Sequence, residues 1–185
     1  MNLFNSPTGS VSLGGILIGL GIIAWYGARW YYKGKKKGKK GDGGDAVETS
    51  TRNWHDLLPL TYGLLYGSAM VACVGGILGW VAYYIANINS AIGDNALAGT
   101  TGAQSQAMPQ NSITYLTGGG SIIVALALAV LISLWKKIPK RIRIQLAAGL
   151  WAGASLALGA GASGVLGRTI SPLLNSLGDP LVGVL

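Results

Sequence analysis

The residues best suited to acid–base chemistry stand side by side. His55 is the single histidine of the chain and Asp56 follows it, so the pair could act as a base with its orienting carboxylate. Nothing in the sequence completes a catalytic set around them. There is no nucleophile elbow, phosphate-binding Gly-Lys motif or zinc spacing. Cys73, the one cysteine, lies among apolar residues, where burial disfavours a thiolate. It permits neither an intramolecular disulfide nor a thiolate metal cluster. His55 is therefore read as a solvated histidine and Cys73 as a small apolar residue. The chain is expected to be no enzyme, with no catalytic residue, metal or cofactor.

Phosphate recognition is better represented. Thirteen of the fourteen Lys and Arg residues fall between Arg29 and Arg52 or between Lys136 and Arg143. The first stretch contains KGKKKGKK, with Lys33, Lys35, Lys36, Lys37, Lys39 and Lys40; the second holds Lys136, Lys137, Lys140, Arg141 and Arg143. Lysines on a Gly-rich strand can neutralise nucleic-acid phosphates without sequence preference, but no aromatic residue interleaves the run to stack bases. Beside an anionic membrane each Lys can contribute about 1 kcal/mol, reduced here by Asp42, Asp45 and Glu48. These eleven cations are the candidate sites for anionic lipid, nucleic acid or an acidic partner.

The elements that position them read as membrane spans. Half of the 185 residues are hydrophobic and 11% charged, with a mean hydropathy of +0.46, against about 25% charged residues in soluble proteins. No Asp, Glu, Lys or Arg lies between Asp56 and Asp94, from Asn95 to Trp135, or from Ile144 to Gly167. A hydrocarbon core about 30 Å thick takes roughly 20 helical residues. Four segments have that length: about 11–30, 59–86, 113–135 and 144–166. The second is long enough to tilt or protrude.

Both basic clusters follow or precede span ends, and cationic residues are retained in the cytoplasm. The expected fold is therefore an all-α integral membrane protein with four transmembrane helices in two hairpins, both termini outside. Residues 33–56 form a flexible basic cytoplasmic loop, 87–112 a polar outer loop, and 168–185 an interfacial outer tail. Trp25, Tyr26, Trp30, Tyr31, Tyr32, Trp54 and Trp135 fall at inner interfaces, and Tyr83, Tyr84 and Tyr115 at outer ones, as amphipathic rings prefer. Trp151, deep in the fourth span, departs from that pattern. The localisation is the inner or plasma membrane, multi-pass.

Small residues recur at four-residue spacing, which lets helix backbones approach. Gly15 and Gly19 form one such pair, Gly63 with Gly67 and Gly75 with Gly79 two more, and Gly149 with Gly153 a fourth; Gly159 and Ser163 lie on a second face of the last span. Two small faces on one helix point to a neighbour beyond a monomeric bundle. An offset of 105 aligns Gly14, Gly15 and Trp30 with Gly119, Gly120 and Trp135, yet the second and fourth spans offer no comparable alignment. Duplication is thus weakly suggested.

No ionisable residue lies inside the spans, which disfavours ion-coupled transport. The function expected is that of a non-catalytic membrane subunit, assembling through Gly, Ala and Ser faces into an oligomer or larger complex that could enclose a pore, as in secretion or DNA-transfer machinery. The alternatives are a passive, holin-like channel and a membrane-anchored docking protein that uses its polybasic loop.

Overall fold

The computed structural model describes residues 11–33, 54–73, 76–103, 105–107, 114–159 and 164–183. Among them the chain is helical: α1 (Leu13–Lys33), a single 3-10 turn at Trp54–Asp56, α2 (Leu58–Val71), α3 (Ile77–Thr101), α4 (Gly118–Leu134), α5 (Lys140–Leu158) and α6 (Val165–Val182). One helix is long and apolar enough to cross a membrane, over Leu13–Tyr32. The apolar α4 is shorter, at 17 residues.

The second and fourth expected spans are not continuous. The segment 59–86 holds α2, a break, and the start of α3; the fourth span ends at Leu158, before α6 begins. A hydropathy window averages across the interval between α2 and α3 because glycine scores near neutral. The expected outer loop 87–112 is helical as far as Thr101, where Gly102 in the left-handed region (φ 68°) ends α3 with its N–H on Ala98 O at 3.0 Å. The buried stripe of α3 is Gly79, Ala82, Ile85, Ala86, Asn89, Ser90 and Gly93. Its first four members fall within the expected second span, whereas Asn89, Ser90 and Gly93 continue the same helical spacing with small or polar residues and so read as loop by composition. The tail 168–185 contributes most of α6, which packs on α4 despite Pro172 and Pro180 within it.

Sequential hairpin neighbours are not the main packing partners. The extensive contacts are α2 with α5, α1 with α3, and α4 with α6. At the α2–α5 contact a Cβ on Gly63 would collide with the carbonyl oxygen of Leu146, and one on Gly67 with that of Leu150. Reciprocally, Gly149 lies on the carbonyl of Leu60 and Gly153 on that of Leu64. Both registers rise together, so α2 and α5 are parallel and related by an approximate two-fold axis along their length. Backbone contact of this kind adds Cα–H···O interactions worth about 0.5–1 kcal/mol each.

The same two-fold relates the outer pairs. Gly14 meets Gly93 backbone to backbone, with Gly15 on Ser90; Gly119 meets Gly178 in the same way, with Gly120 on Asn175. In both pairs the register runs oppositely, so α1 is antiparallel to α3 and α4 to α6. The N-terminal caps match as well: Gly15 N–H donates to Ser12 Oγ (3.2 Å), and Gly120 N–H to Thr117 Oγ1 (3.3 Å). The first helices correspond at an offset of 105, the second at 86 (Gly63 to Gly149) and the third at 85 (Gly93 to Gly178). The chain is therefore an internal repeat of three helices. The four-span, two-hairpin topology is not supported, but α2 and α5, which occupy the starts of the expected second and fourth spans, do align through GxxxG once the offset changes.

The helix ends that precede the two breaks are buried. Val71, Ala72 and Leu158 are at most 1% exposed, and Leu116 N–H reaches Ala72 O at 3.2 Å. The start of α1 is satisfied by the segment after α3: Leu13 N–H donates to Gln106 O and Gly14 N–H to Ser105 Oγ, both at 3.1 Å.

Candidate functional site

Charge gathers where α1 ends and α2 and α5 begin. Tyr26, Arg29 and Trp30 share one face of α1 at i, i+3 and i+4. The 3-10 turn is held against that face by Trp30 and Trp54, whose rings lie 5.0 Å apart. Across from them α5 starts after Pro139, which fixes an extended entry (φ −64°, ψ 149°) and offers no capping side chain. Between these elements lies a cavity of about 350 Å³ lined by Tyr26, Arg29, Trp30, Asp56, Leu57, Lys140, Arg141, Ile144 and Gln145.

Three cations and one carboxylate face this space. Asp56 Oδ2 lies 3.7 Å from an Arg141 guanidinium nitrogen, with both side chains at least half exposed. Such a pair is worth about 0–1 kcal/mol, so it leaves the excess positive charge largely in place. Arg29 and Lys140 have no carboxylate partner among the described residues. The N-terminal end of α5 adds its own partial positive charge. Asp56 is directed to Arg141 rather than to His55, and the two adjacent residues form no base–carboxylate dyad.

The cations expected to bind anions separate into groups. Lys140 and Arg141 line the cavity. Arg143 is committed to the fold: its Nε donates to Ile138 O (2.7 Å), a terminal nitrogen donates to Lys136 O (3.3 Å), and the guanidinium lies 5.8 Å from the Trp135 ring centroid. It closes the link after α4. Lys136 and Lys137 are exposed outside the cavity. Lys33 is the last residue of α1; Lys35, Lys36, Lys37, Lys39 and Lys40 lie outside the described residues. Arg29 is the addition, legible in sequence only as a topology signal although its spacing to Tyr26 and Trp30 marks a basic-aromatic face.

The small residues are distributed within the chain. Gly15 packs on Ser90, and Gly19 on Leu156 and Ala152 of α5, at 3.2–3.4 Å for a Cβ. Gly63, Gly67, Gly149 and Gly153 form the α2–α5 contact, Gly79 turns against the Cys73 carbonyl, and Gly159 caps α5. Gly75 and Ser163 lie outside the described residues. Because α2 and α5 touch through their backbones, the two-fold axis is closed along that contact and carries no channel there.

A polar contact missed in the sequence joins the halves. Asn89 is 1% exposed. Its amide nitrogen donates to Ser155 Oγ, and its oxygen accepts from the Trp151 indole N–H. Ser155 in turn donates to Trp151 O at 3.2 Å. Trp151 is thus deep in the chain because its one donor is satisfied by α3. The counterpart region on the other side is an apolar groove of about 290 Å³ between α2, α4 and α6.

No protein-family model, curated protein or solved structure matches the chain.

Proposed function

We propose that this chain is a non-catalytic integral membrane subunit, anchored by α1 and assembled laterally with other subunits through α4. The observation that carries the reading is the bare face of α4. Its 17 residues contain no ionisable group, and only Gly119, Gly120 and Val124 are buried. Ile122, Leu126, Val130, Ile132 and Leu134 are all exposed, as Leu17, Leu20 and Trp25 are on α1. Apolar helices left this open in water would aggregate, so lipid or protein is the natural surround.

Length favours protein beside α4. At about 1.5 Å per residue α4 spans about 26 Å, short of a core about 30 Å thick. Lateral association is one of the responses to such mismatch. The glycine faces, by contrast, are used between helices of the same chain, so assembly falls to the exposed apolar residues.

The experiment is photo-crosslinking in the native membrane from a benzophenone amino acid placed at Leu126 or Val130, with Leu17 as the lipid-facing comparison. Protein adducts from α4, resistant to alkaline extraction, are the expected result. Adducts to lipid alone at both α4 positions would overturn the subunit reading, and release by alkaline extraction would overturn the membrane reading.

A further inference from the structure

We propose that the cavity between the end of α1 and the start of α5 binds a phosphate-bearing anion, supplied by the headgroup of an anionic lipid. This rests on the membrane reading above.

Arg29, Lys140 and Arg141 approach the space from two helices, with Asp56 the one carboxylate on its wall. Within α5 the first-turn amides of Ile142 and Arg143 bond to Pro139 O. Those of Lys140 and Arg141 have no acceptor among the described residues, and they add donors at the positive end of the helix. Arginine and lysine together suit a phosphate: the planar guanidinium can bind two oxygens and the ammonium adds a point charge.

The two-fold repeat shows that this is a feature of one half. The residue corresponding to Arg29 in α4 is Leu134, and the one corresponding to Asp56 is Ile142. The arginine of that side, Arg143, is folded back onto carbonyls and Trp135. Trp30 and Trp135 do correspond, so the aromatic frame was kept on both sides while open cations were placed on one.

The surroundings specify the source of the phosphate. Trp25 (67% exposed), Tyr32 (66%) and Trp54 (74%) ring the same end of the molecule. Exposed Trp and Tyr settle at headgroup level, which puts the cavity where lipid phosphates are most concentrated. A concave space of about 350 Å³ takes one headgroup, whereas a nucleic-acid strand needs an extended cationic track.

The test uses the full chain in nanodiscs of phosphatidylglycerol and phosphatidylcholine in equal amounts, with lipids retained after detergent transfer counted by native mass spectrometry. The wild type should retain phosphatidylglycerol selectively. The Arg29→Gln/Lys140→Gln variant should lose that retention by about thirtyfold, as expected for removing two of three cations facing the site. The Lys136→Gln/Lys137→Gln variant, equal in charge but outside the cavity, should stay within about twofold. Equal losses in the two variants, or none in the first, would sink the proposal.

Inorganic phosphate is the second arm, titrated in detergent first without lipid and then against added phosphatidylglycerol. Binding that needs Arg29 and Lys140 and displaces phosphatidylglycerol supports the phosphate chemistry and assigns a soluble source. A single-stranded oligonucleotide that displaces lipid at lower phosphate concentration than inorganic phosphate does overturns it. Failure to enter nanodiscs would remove the membrane reading alone, since the detergent arm still reports on the cavity.

Discussion

Where α3 crosses α5, Asn89, Trp151 and Ser155 form a filled polar contact; where α6 crosses α2, the corresponding residues are Leu174, Leu65 and Ala69, and all three line an open apolar groove. The two junctions share a backbone plan, since each is framed by a glycine contact between the flanking helices and by the parallel α2–α5 pair. They differ at these three side chains and at others around them, such as Tyr66 where the equivalent position holds Ala152. One junction fixes its geometry by satisfying an indole N–H and an amide away from water, which a low dielectric makes costly to break. The other keeps its shape by apolar contact and leaves a space of about 290 Å³. A duplicated scaffold has thus been made rigid on one side and accessible on the other.

The largest effects should come from what the junctions share. Gly63→Val and Gly149→Val each drive a side chain into a carbonyl of the facing helix, and overpacking of that kind costs about 3 kcal/mol. Because the contacts are reciprocal, the two variants should lower the midpoint of unfolding in detergent by similar amounts. Gly27→Val, where nothing lies within 4 Å of a Cβ, should leave it unchanged apart from a small propensity term. A large difference between Gly63→Val and Gly149→Val would break the two-fold description.

The next effect separates the junctions. Asn89→Leu strands the Trp151 indole N–H and removes the Ser155 partner, costing about 1–2 kcal/mol. Leu174→Ala on the other side removes a partly buried side chain beside an existing groove. That should cost less, about 1 kcal/mol, because the site is already open to its surroundings. Transplanting the polar set as Leu65→Trp, Ala69→Ser and Leu174→Asn should be strongly non-additive, with the triple variant more stable than the sum of the single changes. Simple additivity would show that the two sites are not structurally equivalent.

These differences explain what the sequence could and could not disclose. Helical class, the one helix long and apolar enough to cross a membrane, the GxxxG spacings and the grouping of charge follow from local composition and periodicity. The breaks do not, because Ala72, Cys73 and Gly76 are as apolar or neutral as the residues around them and hydropathy carries no record of hydrogen bonding. Asn89 reads as loop for a related reason: Asn89, Ser90 and Gly93 pack well along the stripe begun by Gly79, Ala82, Ile85 and Ala86, but score as polar or neutral. The repeat was half visible, since the offset changes from 105 to 86 and then to 85. A single-offset comparison detects the first helices and misses the others. Arg29, Lys140 and Arg141 lie in different basic clusters, and only the parallel arrangement of α2 and α5, with α1 beside α5, brings them to one cavity.

The smallest expected effect lies at the basic end and concerns Asp56. Its pair with Arg141 is exposed at 3.7 Å, so Asp56→Asn should change the free energy of unfolding by no more than about 1 kcal/mol. Its effect on the cavity has the opposite sign to its effect on the pair. Removing the one carboxylate raises the net positive charge facing an anion, so retention of phosphatidylglycerol should increase by about two- to fivefold at low salt and less at physiological ionic strength. Ile142→Asn, at the position that corresponds to Asp56 in the other half, removes no negative charge and should produce no such gain. Asp56 would then act as a brake on anion binding, distinguishing the two ends of the repeat as Asn89 and Leu174 distinguish the two junctions.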